Sequence, residues 1–322
     1  MDDNTLLVVA DPTDRELAML EQLPEGTSLA VGKTPAAFER LAAHATVILN
    51  WSGSNAWLRE VLPLCPRVRW VHTRSAGIDE VLFAELVERP LVLTNGTGIF
   101  SDTLGEFALA AILFFAKGFR RLVRSQEAGV WGPFDIRPIA GKTVGIVGYG
   151  SIGRAVAARL GPLGMKVLAL RRSAGTEVRG DGVERVYSYG QRLEMIAQCD
   201  YIVVSAPLTP DTRGMIGEAE FAAMKPDAVV INIGRGPIID EPALLRALTE
   251  GRIEGAALDV FDTEPLPPGH PFYGLRNVLL SPHSADHTRD WLERAMQFFL
   301  DNFERFGKGE PLRNVVDKGR GY

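Results

Sequence analysis

Three ionisable residues in the second half of the chain each stand just past a short apolar run. Arg235 lies between two glycines in Ile231-Asn232-Ile233-Gly234-Arg235-Gly236. Glu264 falls in Asp259-Val260-Phe261-Asp262-Thr263-Glu264-Pro265, and His283 in Ser281-Pro282-His283-Ser284. If the apolar runs are strands of a parallel sheet, these residues stand at the strands' carboxyl ends, where ligands of such sheets bind. A guanidinium there can hold a carboxylate and polarise a neighbouring carbonyl. A carboxylate beside an imidazole raises its pKa and fixes its tautomer. The charged imidazolium can then protonate a ketone oxygen as hydride arrives. Spacing by itself also allows Glu264 and His283 to be loop residues that never meet, and Arg235 to be a structural ion-pair arginine.

Hydride needs a carrier, and a second motif offers a place for one. The run Val144-Gly145-Ile146-Val147 leads into Gly148-Tyr149-Gly150-Ser151-Ile152-Gly153, a G-x-G-x-x-G between an expected strand and an expected helix. The first glycine permits the tight turn, the second lets the backbone approach a pyrophosphate, and the third lets helix and strand pack closely. The helix N-terminus adds free N–H groups and a partial positive charge. In dinucleotide sites that take NAD, the next strand ends in an acidic residue that binds the ribose hydroxyls. Here 166–170 ends instead in Arg171-Arg172-Ser173, and no carboxylate appears before Glu177. Two guanidiniums and a hydroxyl favour a 2′-phosphate. NADP(H) is therefore expected over NAD(H), which stays possible.

Positioning these residues requires an alternating α/β frame. Strands are expected at 6–10, 46–50, 68–72 and 91–94, with helices at 13–23 and 38–44. Ser101-Asp102-Thr103 offers an N-cap to an apolar helix at 104–117, and the glycine- and proline-bearing stretch 126–140 reads as a connector. Six further strands are expected at 143–148, 166–171, 200–205, 228–233, 255–259 and 277–281. Helices are expected at 151–163, 191–197, 217–223 and 241–250, and an amphipathic one at about 288–306. Strands alternating with crossover helices make doubly wound parallel sheets.

Composition agrees with a soluble globular chain of about two domains: 322 residues, 46% hydrophobic and 23% charged. With 35 Lys and Arg against 40 Asp and Glu, the net charge of −5 lacks the footprint of a general nucleic-acid binder. The longest apolar run, 107–116, is too short to span a bilayer, which takes about 20 residues. The N-terminus is acidic with no signal-peptide n-region, and Cys65 and Cys199 fit no metal spacing. A cytoplasmic protein without metal, membrane or nucleic-acid partner is expected.

Taken together, the motifs resemble the D-isomer-specific 2-hydroxyacid dehydrogenase family. The glycine-rich turn, Gly-Arg-Gly, Asp-Val-Phe-Asp-Thr-Glu-Pro-Leu and Ser-Pro-His come in the family's order. So do Ser75-Ala76-Gly77-Ile78-Asp79, Gly141-Lys142-Thr143-Val144-Gly145-Ile146 and Pro207-Leu208-Thr209-Pro210-Asp211-Thr212. The resemblance implies that Arg235 binds the substrate's carboxylate and carbonyl, that His283 is the proton donor, and that Glu264 keeps His283 charged. It places the substrate carboxylate on the backbone N–H groups of Ser75, Ala76 and Gly77. Cofactor contacts fall to Gly148, Gly150, Ser151, Ile152, Gly153, Pro207, Ile233, Gly234 and Asp259, the last at the nicotinamide carboxamide. Arg171, with Arg172 and Ser173 after it, falls where NAD-using members carry an acid. The implied fold is two Rossmann-like α/β domains with a cleft between them. The substrate domain is discontinuous, 1–100 plus 288–322, and the dinucleotide-binding domain is 101–287. The helix at 104–117 matches the family's dimer helix, so a homodimer is expected.

The implied activity is NADPH-dependent reduction of a small 2-oxo acid, of glyoxylate or hydroxypyruvate type, to the D-2-hydroxy acid. Oxidation of 3-phosphoglycerate or of phosphite are the enzyme alternatives; a nucleotide-sensing protein like the corepressors of this fold is the alternative of another class. Formate oxidation is disfavoured because Glu264 stands where those relatives carry glutamine. His44, His72 and His270 read as structural or solvated. Arg74 and His287 neighbour the site motifs, and Trp131 and Trp291 read as packing residues or pocket walls. Cys65 and Cys199 read as small buried hydrophobes.

Overall fold

A computed structural model describes residues 4–172 and 182–322 of the chain. They fall into two compact units, Met1–Phe100 with Thr288–Tyr322, and Ser101–His287. Ser173 and Glu177, on which part of the cofactor argument rests, lie outside the described residues.

The first unit is built on five parallel strands. They are β1 (Thr5–Val9), β2 (Ser28–Gly32), β3 (Val47–Asn50), β4 (Trp70–Thr73) and β5 (Val92–Thr94), in the order β2-β1-β3-β4-β5. β1, β3 and β4 are buried throughout, as a parallel sheet covered on both faces requires. Helices α1 (Asn55–Val61) and α2 (Ala84–Glu88) connect strands, and α9 (Trp291–Gly307) returns to this unit at the end of the chain. α9 lays Phe299 and Phe306 against Trp70, each with ring centroids 5.4 Å apart.

The expected helix at 13–23 is a 3-10 helix, Arg15–Gln22. Asp14 gives it no side-chain cap, and Leu23 before Pro24 is turned to extended backbone. The expected helix at 38–44 is two 3-10 turns, Pro35–Phe38 and Ala42–His44.

Seven parallel strands, not six, make the second unit's sheet: β6 (Thr143–Val147), β7 (Lys166–Arg171), β8 (Val183–Ser188), β9 (Tyr201–Val204), β10 (Val229–Asn232), β11 (Gly255–Leu258) and β12 (Val278–Leu280). Their order is β12-β11-β10-β9-β6-β7-β8. From β6 the chain first winds outward through β7 and β8, then returns to β9 on the other side. The switch point therefore lies between β6 and β9, where doubly wound sheets take ligands.

The helices of this unit are α3 (Ser101–Ala116), α4 (Phe119–Glu127), α5 (Ser151–Leu160), α6 (Arg192–Ile196), α7 (Glu218–Ala223) and α8 (Glu241–Thr249). Ser101 is already helical rather than a cap, and α4 runs into the expected connector at 126–140. That connector carries Trp131, which is 98% exposed. The packing expected of Trp131 within the chain is thus corrected. Gly129, Gly132 and Pro133 break the helix, and the segment runs over the surface. No helix among the described residues is long and apolar enough to cross a membrane.

Candidate active site

Because every strand of the second sheet is parallel, the loops after β6, β7, β9, β10, β11 and β12 leave the same edge. That edge carries each of the chemistry-bearing motifs of this unit.

The glycine-rich turn follows β6. Gly148 has φ +91°, and a Cβ there would fall 2.4 Å from the backbone of Ala206, just past β9, so only glycine lets the two strand ends meet. A Cβ on Gly153 would come within 2.4 Å of the Gly148 carbonyl, which brings α5 hard against the turn. Beside Gly150, by contrast, nothing stands within 4 Å of the Cβ position. α5 starts there with no side-chain cap, so Ser151, Ile152 and Gly153 present first-turn N–H groups that a helix cannot satisfy itself. An open cradle at an uncapped helix N-terminus fits the pyrophosphate of a dinucleotide.

Around it, Ser205 Oγ donates to the Gly148 carbonyl at 2.8 Å, and Thr212 Oγ1 donates to the Pro207 carbonyl at 2.7 Å. Pro207 itself is exposed. β7 ends at Arg171, and Arg172 pairs with Asp211 at 3.2 Å.

Arg235 follows β10. Its loop is braced by Asn232, which receives the Gly234 N–H at 3.1 Å and donates to the Arg235 carbonyl at 3.0 Å. Sequence reasoning passed over Asn232; the signal was a polar residue closing an apolar strand just before Gly-Arg-Gly. A Cβ on Gly236 would lie 2.0 Å from the Phe261 carbonyl carbon, so this glycine lets the loop after β10 press against the loop after β11. Ile233 is buried and Gly234 packs against the Ala206 carbonyl.

Asp259, at the end of β11, is buried and ties the last loop down. Its Oδ1 accepts from Ser281 Oγ at 2.6 Å, from the Ser284 N–H at 2.9 Å and from the Ala285 N–H at 3.1 Å. Its Oδ2 has no partner among the described residues and can receive a carboxamide N–H. The structure thus gives Asp259 a bracing role that the motif alone did not show. The same loop holds His283 at φ +49°, an uncommon backbone for a non-glycine residue, with its N–H on the Asp259 carbonyl at 2.9 Å.

His283 and Glu264 do meet. His283 Nδ1 lies 2.6 Å from Glu264 Oε2, while Glu264 Oε1 accepts the Phe261 N–H at 2.9 Å. The bond to Glu264 raises the His283 pKa above the usual histidine value, outweighing partial burial and the nearby positive charge of Arg235. Burial pushes Glu264 up, but the bonds from His283 and Phe261 outweigh it and leave the carboxyl below its usual range. Arg235 acts on both through space. The pairing fixes Nδ1 as the donor to Glu264 and leaves Nε2 outside that bond. His287 lies 3.6 Å from Asp286 and not on Glu264.

The loop Ser75-Ala76-Gly77 belongs to the first unit and follows β4. Asn95 Nδ2 donates to the Ala76 carbonyl at 2.6 Å, and the Ser75 carbonyl takes the Gly96 N–H at 3.0 Å. Among the described residues, the N–H groups of 75, 76 and 77 have no acceptor, which is the form of an anion nest. Among the described residues, no group of His, Cys, Asp and Glu could hold a metal ion.

Comparison with known proteins identifies the family. Residues 109–285 match the family described as D-isomer specific 2-hydroxyacid dehydrogenase, NAD binding domain. A glyoxylate reductase of Korarchaeum cryptofilum is 33% identical over 268 residues, 80% of this chain and 79% of that protein. A D-3-phosphoglycerate dehydrogenase of Methanocaldococcus jannaschii is 30% identical over 97% of this chain and 59% of its own length. The crystal structure of an NADPH-dependent glyoxylate/hydroxypyruvate reductase from Sinorhizobium meliloti, in complex with NADP and sulfate, superposes with a TM-score of 0.86. It shares 28% identity, over 99% of this chain and 100% of that one.

Proposed function

The chain belongs to the D-isomer-specific 2-hydroxyacid dehydrogenase family, a nicotinamide-dependent oxidoreductase that acts on 2-oxo acids, and from that premise we propose that it reduces glyoxylate or hydroxypyruvate with NADPH. One observation carries the reading: a histidine held 2.6 Å from a carboxylate, beside an arginine, on the sheet edge that also carries the dinucleotide turn.

The cofactor would be held by Gly148, Gly150, Ser151, Ile152 and Gly153 at its pyrophosphate, with Pro207, Ile233, Gly234 and Asp259 along its length. When bound, the nicotinamide supplies hydride. Arg235 orients the 2-oxo acid and draws charge toward the carbonyl oxygen. The N–H groups of 75–77 take the substrate carboxylate. His283 Nε2 gives its proton to the carbonyl oxygen as that oxygen becomes a hydroxyl, and Glu264 stabilises the imidazolium beforehand. In the reverse direction, neutral His283 receives the hydroxyl proton.

Preference for NADPH is supported by Arg171, which ends β7 where an acid would repel a 2′-phosphate, and by Arg172 next to it. A homodimer is supported by the apolar residues left open after α3: Phe119, Leu122 and Val123 of α4, then Val130, Trp131 and Ile136.

The test is consumption of NADPH and of NADH by the purified protein with glyoxylate, hydroxypyruvate, pyruvate and a bulkier 2-oxo acid. The expected result is turnover of the smaller acids with kcat/KM larger for NADPH. Tight nucleotide binding without turnover of any acid would favour a nucleotide-sensing protein instead.

A further inference from the structure

We propose that Arg74 sets the preferred substrate by binding a second oxyanion, a carboxylate or a phosphate, at the end of the 2-oxo acid remote from its C1 carboxylate. The proposal rests on the 2-oxo acid reading above and narrows it. Glyoxylate and hydroxypyruvate remain substrates that leave this contact unmade; acids that carry a second oxyanion are preferred.

Arg74 links β4 to the loop 75–77, so its side chain starts one residue from the anion nest. Its guanidinium carbon lies 5.3 Å from the ring centre of Trp51 and 5.4 Å from that of Trp291. Two indoles hold the cation by its ring contacts and leave its edge N–H groups for hydrogen bonds. Yet among the described residues no hydrogen bond and no ion pair within 4.0 Å reaches them. The carboxylates of Asp14 and Glu16 act on Arg74 only through space, and burial of the cation outweighs both. A half-buried guanidinium with every N–H unspent is costly unless an anion arrives. The same corner holds another idle donor, Trp51 Nε1–H, fully buried and without an acceptor among the described residues.

Counting donors separates Arg74 from the C1 carboxylate. A carboxylate offers about four lone-pair sites. Three N–H groups of the nest and the fork of Arg235 are already assigned to it. Arg74 is surplus to that group, and its planar edge suits a second carboxylate or a phosphate in bidentate fashion.

The experiment uses matched pairs of D-2-hydroxy acids, bound to the full-length protein loaded with NADPH, where both partners are reduced and no turnover can occur. D-malate is compared with D-lactate, and 3-phospho-D-glycerate with D-glycerate, by calorimetry. At least one doubly anionic acid is expected to bind about 100-fold more tightly than its partner, the size of a charged hydrogen-bonded contact, and the pair that shows the gap identifies carboxylate or phosphate. Arg74→Met keeps an apolar stem between the two indoles and should erase the gap; Arg74→Lys, which keeps the charge without the fork, should keep part of it. No gap in either wild-type pair overturns the proposal. So does a gap that survives Arg74→Met while both members of the pair weaken alike, since Arg74 would then serve the shared carboxylate. If the gap is present and Arg74-dependent but no 2-oxo acid consumes NADPH, the reductase reading fails and the role of Arg74 stands.

Discussion

His72 and His283 both sit at the carboxyl ends of parallel strands, and their surroundings drive them in opposite directions. His72, on β4 in the first unit, is enclosed by Trp70, Phe298 and Phe299, with Thr94 Oγ1 at 2.7 Å from Nδ1 and, among the described residues, no partner for Nε2. Burial without a carboxylate lowers its pKa to about 3, so it stays neutral. His283 has only partial burial and the carboxylate of Glu264 at 2.6 Å, and its pKa rises. The same side chain becomes a packing group in one place and an acid in the other. What decides is whether an acceptor for the charged form is supplied, and the second unit supplies it by spending Glu264, Phe261 and Asp259 on one loop.

The comparison can be broken at either histidine. The larger effect belongs to His283→Ala. Loss of a positioned general acid should lower kcat/KM for 2-oxo acid reduction about 10³-fold, while affinity for NADPH, measured by fluorescence titration, stays near wild type. Turnover close to wild type would remove His283 from the chemistry.

The smaller effect belongs to His72 and concerns stability. Its folded pKa lies below the unfolded value near 6.5, so the unfolded chain takes up the proton first as pH falls. The stability it contributes is full above pH 6.5 and is lost progressively toward about pH 3. At pH 5 that loss is about 2 kcal/mol, seen as a lower urea midpoint. His72→Gln, which cannot be protonated, should flatten the decline between pH 7 and pH 5. An equal decline in both proteins would mean that the acid sensitivity lies elsewhere.

The same physics explains what was legible in the sequence. Buried parallel strands read as apolar runs, so β6, β9, β10, β11 and the residues just beyond them stood out, and with them Arg235 and Glu264; the apolar run of β12 marked His283 in the same way. β2 and β8 did not. Both are edge strands: β2 offers only Leu29-Ala30-Val31 between Ser28 and Gly32, and in β8 the exposed Glu184 and Arg185 interrupt the apolar run. α1 and α2 span fewer than two or three turns, too little for a helical period to show. Nor could spacing reveal that Asp259 accepts three bonds from the 281–285 loop, or that Asn232 braces Arg235. Those contacts exist only once separate strand ends are brought to one edge. Arg74 was visible as a charge beside a motif; its two indole neighbours, Trp51 and Trp291, come from distant parts of the sequence.

The central claim is that Glu264 keeps His283 charged so that it can give a proton to the carbonyl oxygen. The most direct test is an NMR titration of the imidazole signals, assigned by single His substitutions, in the wild-type protein and in Glu264→Gln. The account predicts that His283 titrates above 6.5 in the wild type and moves down in Glu264→Gln, with the alkaline limit of 2-oxo acid reduction moving in step because the charged form is the one that reacts. A wild-type His283 that titrates at or below 6.5, or one that ignores the loss of Glu264, would contradict it.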